Sequence, residues 1–190
     1  MSEPLRIAGF LDAATLEEIA AEVRAAGGAA ATVYGKDPAG AVDSLVRKAT
    51  RLDVSARTSD RVVRLLLESK ATVAQHFRVA LAQCEPPQFL RYVTGDYFVA
   101  HQDGNTPLIF DDFRFRKISI VVFLSRKATE PEPGSYGDGA LLVHGSYAES
   151  YRRVELEAEP GTLVAFRSET THEVTPVTHG ERYTIASWYR

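Results

Sequence analysis

Arg91-Tyr92-Val93-Thr94-Gly95-Asp96-Tyr97-Phe98-Val99-Ala100-His101-Gln102-Asp103 reads as two short strands, 89–93 and 97–101, folded about a Thr-Gly-Asp turn. β-Branched and aromatic residues fill both arms, and the turn residues between them break the pattern. The second arm ends on His-Gln-Asp. Because side chains alternate along a strand, His101 and Asp103 point to one face and Gln102 to the other.

The same texture continues toward the C-terminus. Segments 117–124, 140–144, 152–157, 162–166 and 182–188 are further short strands separated by Gly, Pro, Asp and Ser, a pattern that predicts a sandwich or jelly roll. Segment 118–124 is apolar on both faces except for Ser119, which marks a central strand with packed helix on one side. Toward the N-terminus the period changes to that of helices. Asp12 or Thr15 caps a helix carrying Leu16, Ile19, Ala20 and Val23 on one stripe, with Gly27-Gly28 ending it. A short helix is expected at 41–49. A long one follows Ser59-Asp60, with Val62, Leu66, Ser69, Val73, Phe77, Ala80 and Cys84 on one face and Glu85-Pro86-Pro87 as its stop. Short strands are expected at 29–34 and 52–55. The fold class is therefore α+β, a jelly-roll core over 88–190 buttressed by helices in 1–87, with one domain over 1–190.

Composition supports that reading and excludes others. The chain has 190 residues, 45% apolar and 25% charged, which suits one globular domain with a core of its own. A net charge of −3 without a basic run gives no electrostatic support to a nucleic-acid or membrane surface. No stretch has the apolar length of a membrane span, and Met1-Ser2-Glu3-Pro4 lacks the features of a signal peptide. Cys84 is the only cysteine and cannot form an internal disulfide, so a reducing, cytoplasmic setting is expected. The oligomeric state stays open.

His172 begins a late β-hairpin, where antiparallel pairing can bring it beside His101 and Asp103. Two histidines and one carboxylate form a facial set of ligands with open positions, suited to Fe(II) and available to other divalent metals. Arg182 lies on the strand returning from the turn at 176–180. Its face also carries Thr184, Ala186 and Trp188, a mixed polar and aromatic wall more like a pocket than a wet surface. A buried arginine there requires an anion. His76, His144 and His179 have no partner at ligand spacing and are assigned no role.

On these residues the chain resembles the prolyl 4-hydroxylase-like family of Fe(II)/2-oxoglutarate dioxygenases. The stretch 91–103 resembles that family's first metal-ligand strand. Phe123-Leu124-Ser125 and Gly137-Asp138-Gly139-Ala140-Leu141 resemble its next core strands. Pro160-Gly161-Thr162-Leu163-Val164-Ala165-Phe166 and Thr171-His172-Glu173-Val174 resemble its distal-histidine segment, and Gly180-Glu181-Arg182-Tyr183-Thr184-Ile185-Ala186-Ser187-Trp188-Tyr189 its closing strand. The resemblance implies a double-stranded β-helix in which His101, Asp103 and His172 ligate Fe(II). It implies that Arg182 pairs with the C5 carboxylate of 2-oxoglutarate, whose C1 carboxylate and keto oxygen chelate the metal. Tyr92 and Thr184 would contact the co-substrate, and Val174 and Trp188 would wall the site. Arg182 stands where collagen-type members have lysine, and Asp138-Gly139-Ala140-Leu141 replaces the frequent Gly-Gly-Glu-Leu.

The implied activity consumes O₂ and 2-oxoglutarate, releases succinate and hydroxylates an unactivated C–H, with ascorbate as reductant and no catalytic side chain beyond the ligands. The expected substrate is a prolyl residue of a protein or peptide. The alternatives are a free amino acid or small metabolite with the same chemistry, and a non-oxidative cupin-like metal-binding module. Substrate choice is expected in the loop 104–116, which follows the ligand pair, with 125–138 as a second, mobile segment.

Overall fold

The computed structural model describes residues 3–33, 42–106, 112–145, 153–156 and 158–190. The chain opens with strand β1 (Leu5–Ile7) and helix α1 (Ala13–Ala25). Strands β2 (Gly28–Ala30), β3 (Arg47–Lys48) and β4 (Thr50–Leu52) lead to helix α2 (Ala56–Phe77). Beyond it come β5 (Gln88–Val93), β6 (Tyr97–His101), β7 (Ile118–Phe123), β8 (Arg126–Lys127), β9 (Ser135–Asp138) and β10 (Leu141–His144). The last four are β11 (Arg153–Glu155), β12 (Leu163–Arg167), β13 (His172–Val174) and β14 (Val177–Tyr189). They form two mainly antiparallel sheets. The larger runs β1-β12-β7-β14-β5-β4-β2, with β9 joined to β14 and β8 to β9; the smaller runs β11-β10-β13-β6-β3.

Strand alternation sorts the larger sheet's side chains into two cores. Ile118, Ile120 and Val122 of β7, Leu163 and Ala165 of β12, and Tyr183, Ile185 and Tyr189 of β14 pack with Ile19 and Val23 of α1 and Val62, Leu66, Val73 and Phe77 of α2. Their neighbours Phe123, Val164 and Phe166 join Leu90 and Tyr92 of β5 and Leu141, Val143 and Val174 of the smaller sheet. The apolar stripe of each helix is what the outer face of the larger sheet covers, as the helical period requires. Asp12 caps α1 through its carboxylate, which accepts from Thr15 N at 2.7 Å.

Several local expectations give way to long-range pairing. Of the helix expected at 41–49, residues 42–49 are instead a turn and β3. Asp43 caps the turn by accepting from Leu45 N with its carboxylate and from Val46 N and Arg47 N with its carbonyl. Val46, the last residue of the turn, accepts from Val99 N, and Arg47 and Lys48 are then held extended against β6, with Arg47 opposite Phe98; Ala41 lies outside the described residues. Helix α2 starts at its Ser55 cap, earlier than Ser59-Asp60, and ends at Phe77, where Arg78 turns left-handed at φ 51°. Ala80 and Cys84 are therefore not helical. The chain from 82 to 85 hydrogen-bonds the C-terminal strand, and Cys84 forms an isolated bridge with Tyr189. Segment 125–138 also holds more structure than its Pro and Gly content implies, since β8 and β9 pair in parallel and β9 pairs with β14. The strand expected at 29–34 is shortened to β2, with 31 and 32 in no strand and Tyr34 outside the described residues. That at 52–55 falls earlier, on β4, because Ser55 caps α2, and that at 152–157 is β11, with 152 and 157 outside.

No helix among the described residues is long and apolar enough to cross a membrane.

Candidate metal and co-substrate site

β6 and β13 pair antiparallel with His172 opposite His101, so the two histidines are cross-strand neighbours, their rings 4.2 Å apart between centroids. Asp103, two residues past the end of β6, is turned back by its own amide and that of Gly104, which donate to Ser168 O at 2.9 and 3.2 Å. Gln102 points elsewhere. Its side-chain amide donates to Glu169 O at 2.8 Å and Thr171 Oγ1 at 3.3 Å, tying the end of β6 to the turn before His172.

The ligand-type atoms of His101, Asp103 and His172 lie within 4.8 Å of one another. Each imidazole donates Nδ1–H to the carbonyl two residues back, His101 to Val99 O at 2.8 Å and His172 to Thr170 O at 2.9 Å. That arrangement fixes the tautomer and leaves both Nε2 lone pairs facing Asp103, whose two oxygens are each 3.4 Å from one Nε2. Burial pushes His172 down to about 4, helped by His101 and opposed by Asp103, so its imidazole is neutral. Burial alone would raise the Asp103 carboxyl, yet it is held well below the usual carboxylate range, with the Ser119 hydroxyl donating to the ionised form. Neutral imidazoles and an ionised carboxylate are the forms in which these groups bind a divalent metal.

Ser119 donates to Asp103 Oδ2 at 2.7 Å and lies 3.0 Å from Ser168 Oγ. The sequence motifs do not include it, although the sequence carries a signal: a lone hydroxyl in an apolar central strand, which the register of β7 aims between the sheets.

Across the gap, β14 presents Arg182, Thr184, Ala186 and Trp188 to one cavity of about 740 Å³. His101, Asp103, His172, Tyr92 and Val174 line it as well, so every site residue singled out in the sequence faces the same space. Arg182 is 1% exposed. Its Nη1 donates to Thr184 Oγ1 at 3.3 Å, while Nε and Nη2 are buried without a partner among the described residues. Rings of Tyr92, Phe123 and Tyr136 surround the guanidinium at 5.3 to 5.9 Å. A desolvated, unpaired guanidinium is costly on its own, and its free fork matches a carboxylate. The Arg182 stem fits because Gly139 has φ +54° and no side chain; a Cβ there would stand 3.0 Å from Arg182 Cδ and 2.9 Å from Val177 Cγ2.

At the other end of the wall, Arg116 stacks on Trp188 at 3.7 Å and Phe113 at 3.9 Å. Glu85 grips its guanidinium with both carboxylate oxygens, at 2.9 and 2.6 Å, and also accepts from Arg190 Nε at 2.7 Å. Of the loop expected to select substrate, Phe113 and Arg116 line the cavity, and 107–111 lie outside the described residues.

The model of the 2OG-Fe(II) oxygenase superfamily matches residues 87–190. The chain belongs to that superfamily. Membership assigns it the iron(II)- and 2-oxoglutarate-dependent dioxygenase class, with O₂ as the second co-substrate. The donor set and the unpaired Arg182 fit those groups. Among curated proteins, a PKHD-type hydroxylase of Burkholderia ambifaria is 33% identical over 84% of this chain and 67% of its own length. The PKHD-type hydroxylase of Burkholderia thailandensis is 32% identical over 81% and 65%, so the chain spans about two thirds of these relatives. Among solved structures, a Pseudomonas putida prolyl-4-hydroxylase superposes with a TM-score of 0.68 at 23% identity, covering 98% of this chain and 91% of that one. At these identities a structural likeness speaks for the fold alone.

Proposed function

We propose that this oxygenase hydroxylates an unactivated C–H of a prolyl residue in a protein or peptide, on a single domain whose two sheets form a double-stranded β-helix. The observation that carries the reading is one cavity with the His101/Asp103/His172 cluster on one wall and an unpaired, buried Arg182 on the other. In this assignment the three side chains hold Fe(II), and Arg182 takes the distal carboxylate of 2-oxoglutarate, with Thr184 setting its fork and Tyr92 beside it. Bound iron and 2-oxoglutarate would activate O₂, one oxygen atom passing to succinate as CO₂ leaves and the other into the substrate C–H. The protein's part is to bind, orient and exclude water. Val174, Trp188 and Phe98 give the cavity its apolar lining, and Ser119 keeps the Asp103 carboxylate aimed and ionised. The hydroxylase names of the curated relatives support the reaction type.

The test is turnover. Purified protein with Fe(II), ascorbate and 2-oxoglutarate should form succinate, faster when proline-containing peptides are added, and mass spectrometry should find one added oxygen on proline. Oxygen added to a free metabolite and never to a peptide would remove the peptide assignment. Absence of succinate with iron bound and a broad peptide panel present would remove the activity.

A further inference from the structure

We propose that Arg47 anchors a carboxylate of the substrate, which makes the substrate a carboxylate-bearing molecule or segment. The inference rests on the assignment above and adds to it the substrate's charge. Among the described residues, three arginines line the cavity: Arg182, Arg116 and Arg47. The charge of Arg116 is met inside the protein by Glu85. That of Arg182 is met by the co-substrate. Arg47 is 9% exposed, and the only side-chain hydrogen bond it makes among the described residues is from Nη1 to Thr32 O at 3.2 Å. Its Nε is buried without a partner among the described residues. Next to it in sequence, Lys48 has Asp96 at 3.3 Å, whereas no carboxylate among the described residues is in ion-pair reach of Arg47.

The position of Arg47 excludes 2-oxoglutarate as its anion. Arg47 belongs to β3, at the edge of the smaller sheet, opposite Phe98 of β6. Its guanidinium lies 4.8 Å from the Phe98 ring, and that ring stacks on His101 at 3.6 Å with planes 16° apart. Arg47 therefore flanks the candidate metal from the His101 side, while Arg182 projects from the larger sheet. A diacid with one carboxylate on the metal and the other on Arg182 has none left for Arg47. The cavity volume lies within the usual range for ligand pockets, roughly 300–1,000 Å³, which leaves room for a second small molecule or a peptide segment. A charge retained in so dry a place is stabilised when a ligand pairs with it, and a guanidinium fork is matched to a carboxylate.

Trp188, the sole tryptophan of the chain, lines the same cavity, so its fluorescence reports binding without turnover. With Mn(II) and 2-oxoglutarate present, wild type is titrated with two matched pairs: L-proline against L-prolinamide, and acetyl-Pro-Glu-amide against acetyl-Pro-Gln-amide. In at least one pair the carboxylate member should bind about tenfold or more tightly than its amide. The pair showing the contrast says whether the carboxylate is an amino acid's own or an acidic side chain's. Arg47→Gln should abolish the contrast and Arg47→Lys keep part of it. Equal binding within both pairs by wild type, no binding by either carboxylate, or a contrast that survives Arg47→Gln would overturn the proposal. Titration with 2-oxoglutarate on the same signal tests the underlying assignment separately: it should fail in Arg182→Met and persist in Arg47→Gln.

Discussion

Ile185 and its neighbours Thr184 and Ala186 sit side by side on β14, yet they live in different environments. Ile185, with Ile118, Ile120 and Val122 of β7, faces two helices in a dry apolar layer. Thr184, with Arg182 and Trp188, faces the cavity between the sheets, and Ser119, opposite Trp188 in the register, donates to Asp103. The strands, register and backbone hydrogen bonds are shared, so side-chain parity alone separates a face that holds the fold together from a face that carries the candidate site. Burying polar groups on the second face is costly unless they are paired; Ser119 and Thr184 have partners within the protein.

Substitutions of opposite parity should therefore fail in opposite ways. The largest effect is expected at the ligand cluster: Asp103→Ala or His172→Ala should reduce succinate formation to background, with iron binding lost in equilibrium dialysis and the melting curve of the metal-free protein little lowered. Ile185→Ala should do the reverse, costing about 2–5 kcal/mol of stability in urea unfolding, while the folded fraction binds 2-oxoglutarate as wild type does. Arg182→Met should raise the half-saturating 2-oxoglutarate on the order of 100-fold, the scale of losing one partner of a desolvated ion pair. The same variant should leave stability unchanged or raised, because a buried unpaired charge has been replaced by an apolar chain. A destabilised Arg182→Met with normal 2-oxoglutarate binding would erase the distinction between the faces. Ser119→Ala is the mildest: iron affinity should fall roughly 10–100-fold, while a variant that kept wild-type affinity would show that the Ser119 hydroxyl does not support Asp103.

Much of this division is legible in the amino-acid sequence. The alternation 182-184-186-188 needs only strand geometry, whereas the hairpin expected at His172 does not form: β14 lies in the other sheet, and β13 reaches His101 by pairing with β6 from far along the chain. The apolar stripes of both helices are visible in their period. Local pattern does not encode the rest. Residues 42–49 have helical composition, but β6 recruits 46–48 as an edge, and that pairing depends on residues fifty positions away. Cys84 continues the apolar spacing of α2 and so hides the end of that helix, while its actual bonding is to the C-terminal strand. Arg47 and the Arg116–Glu85 pair carry no motif; their placement around the cavity exists only after both sheets have closed.

The first half of the chain also does more than brace the sheet with helices. β1 and β2 form the two ends of the larger sheet's main strand path, and β3 ends the smaller one opposite β11, so three of these four hems are sewn by residues that precede the segment matched by the superfamily. A shortened chain beginning at Gln88 would keep every candidate ligand and lose these borders. It would expose the backbone donors and acceptors of β12, β5 and β6 to any other strand it met. Size-exclusion chromatography of such a fragment should show self-association or aggregation where the full chain elutes as a discrete species. The N-terminal segment is, in that sense, the chain's own protection against sticking to copies of itself.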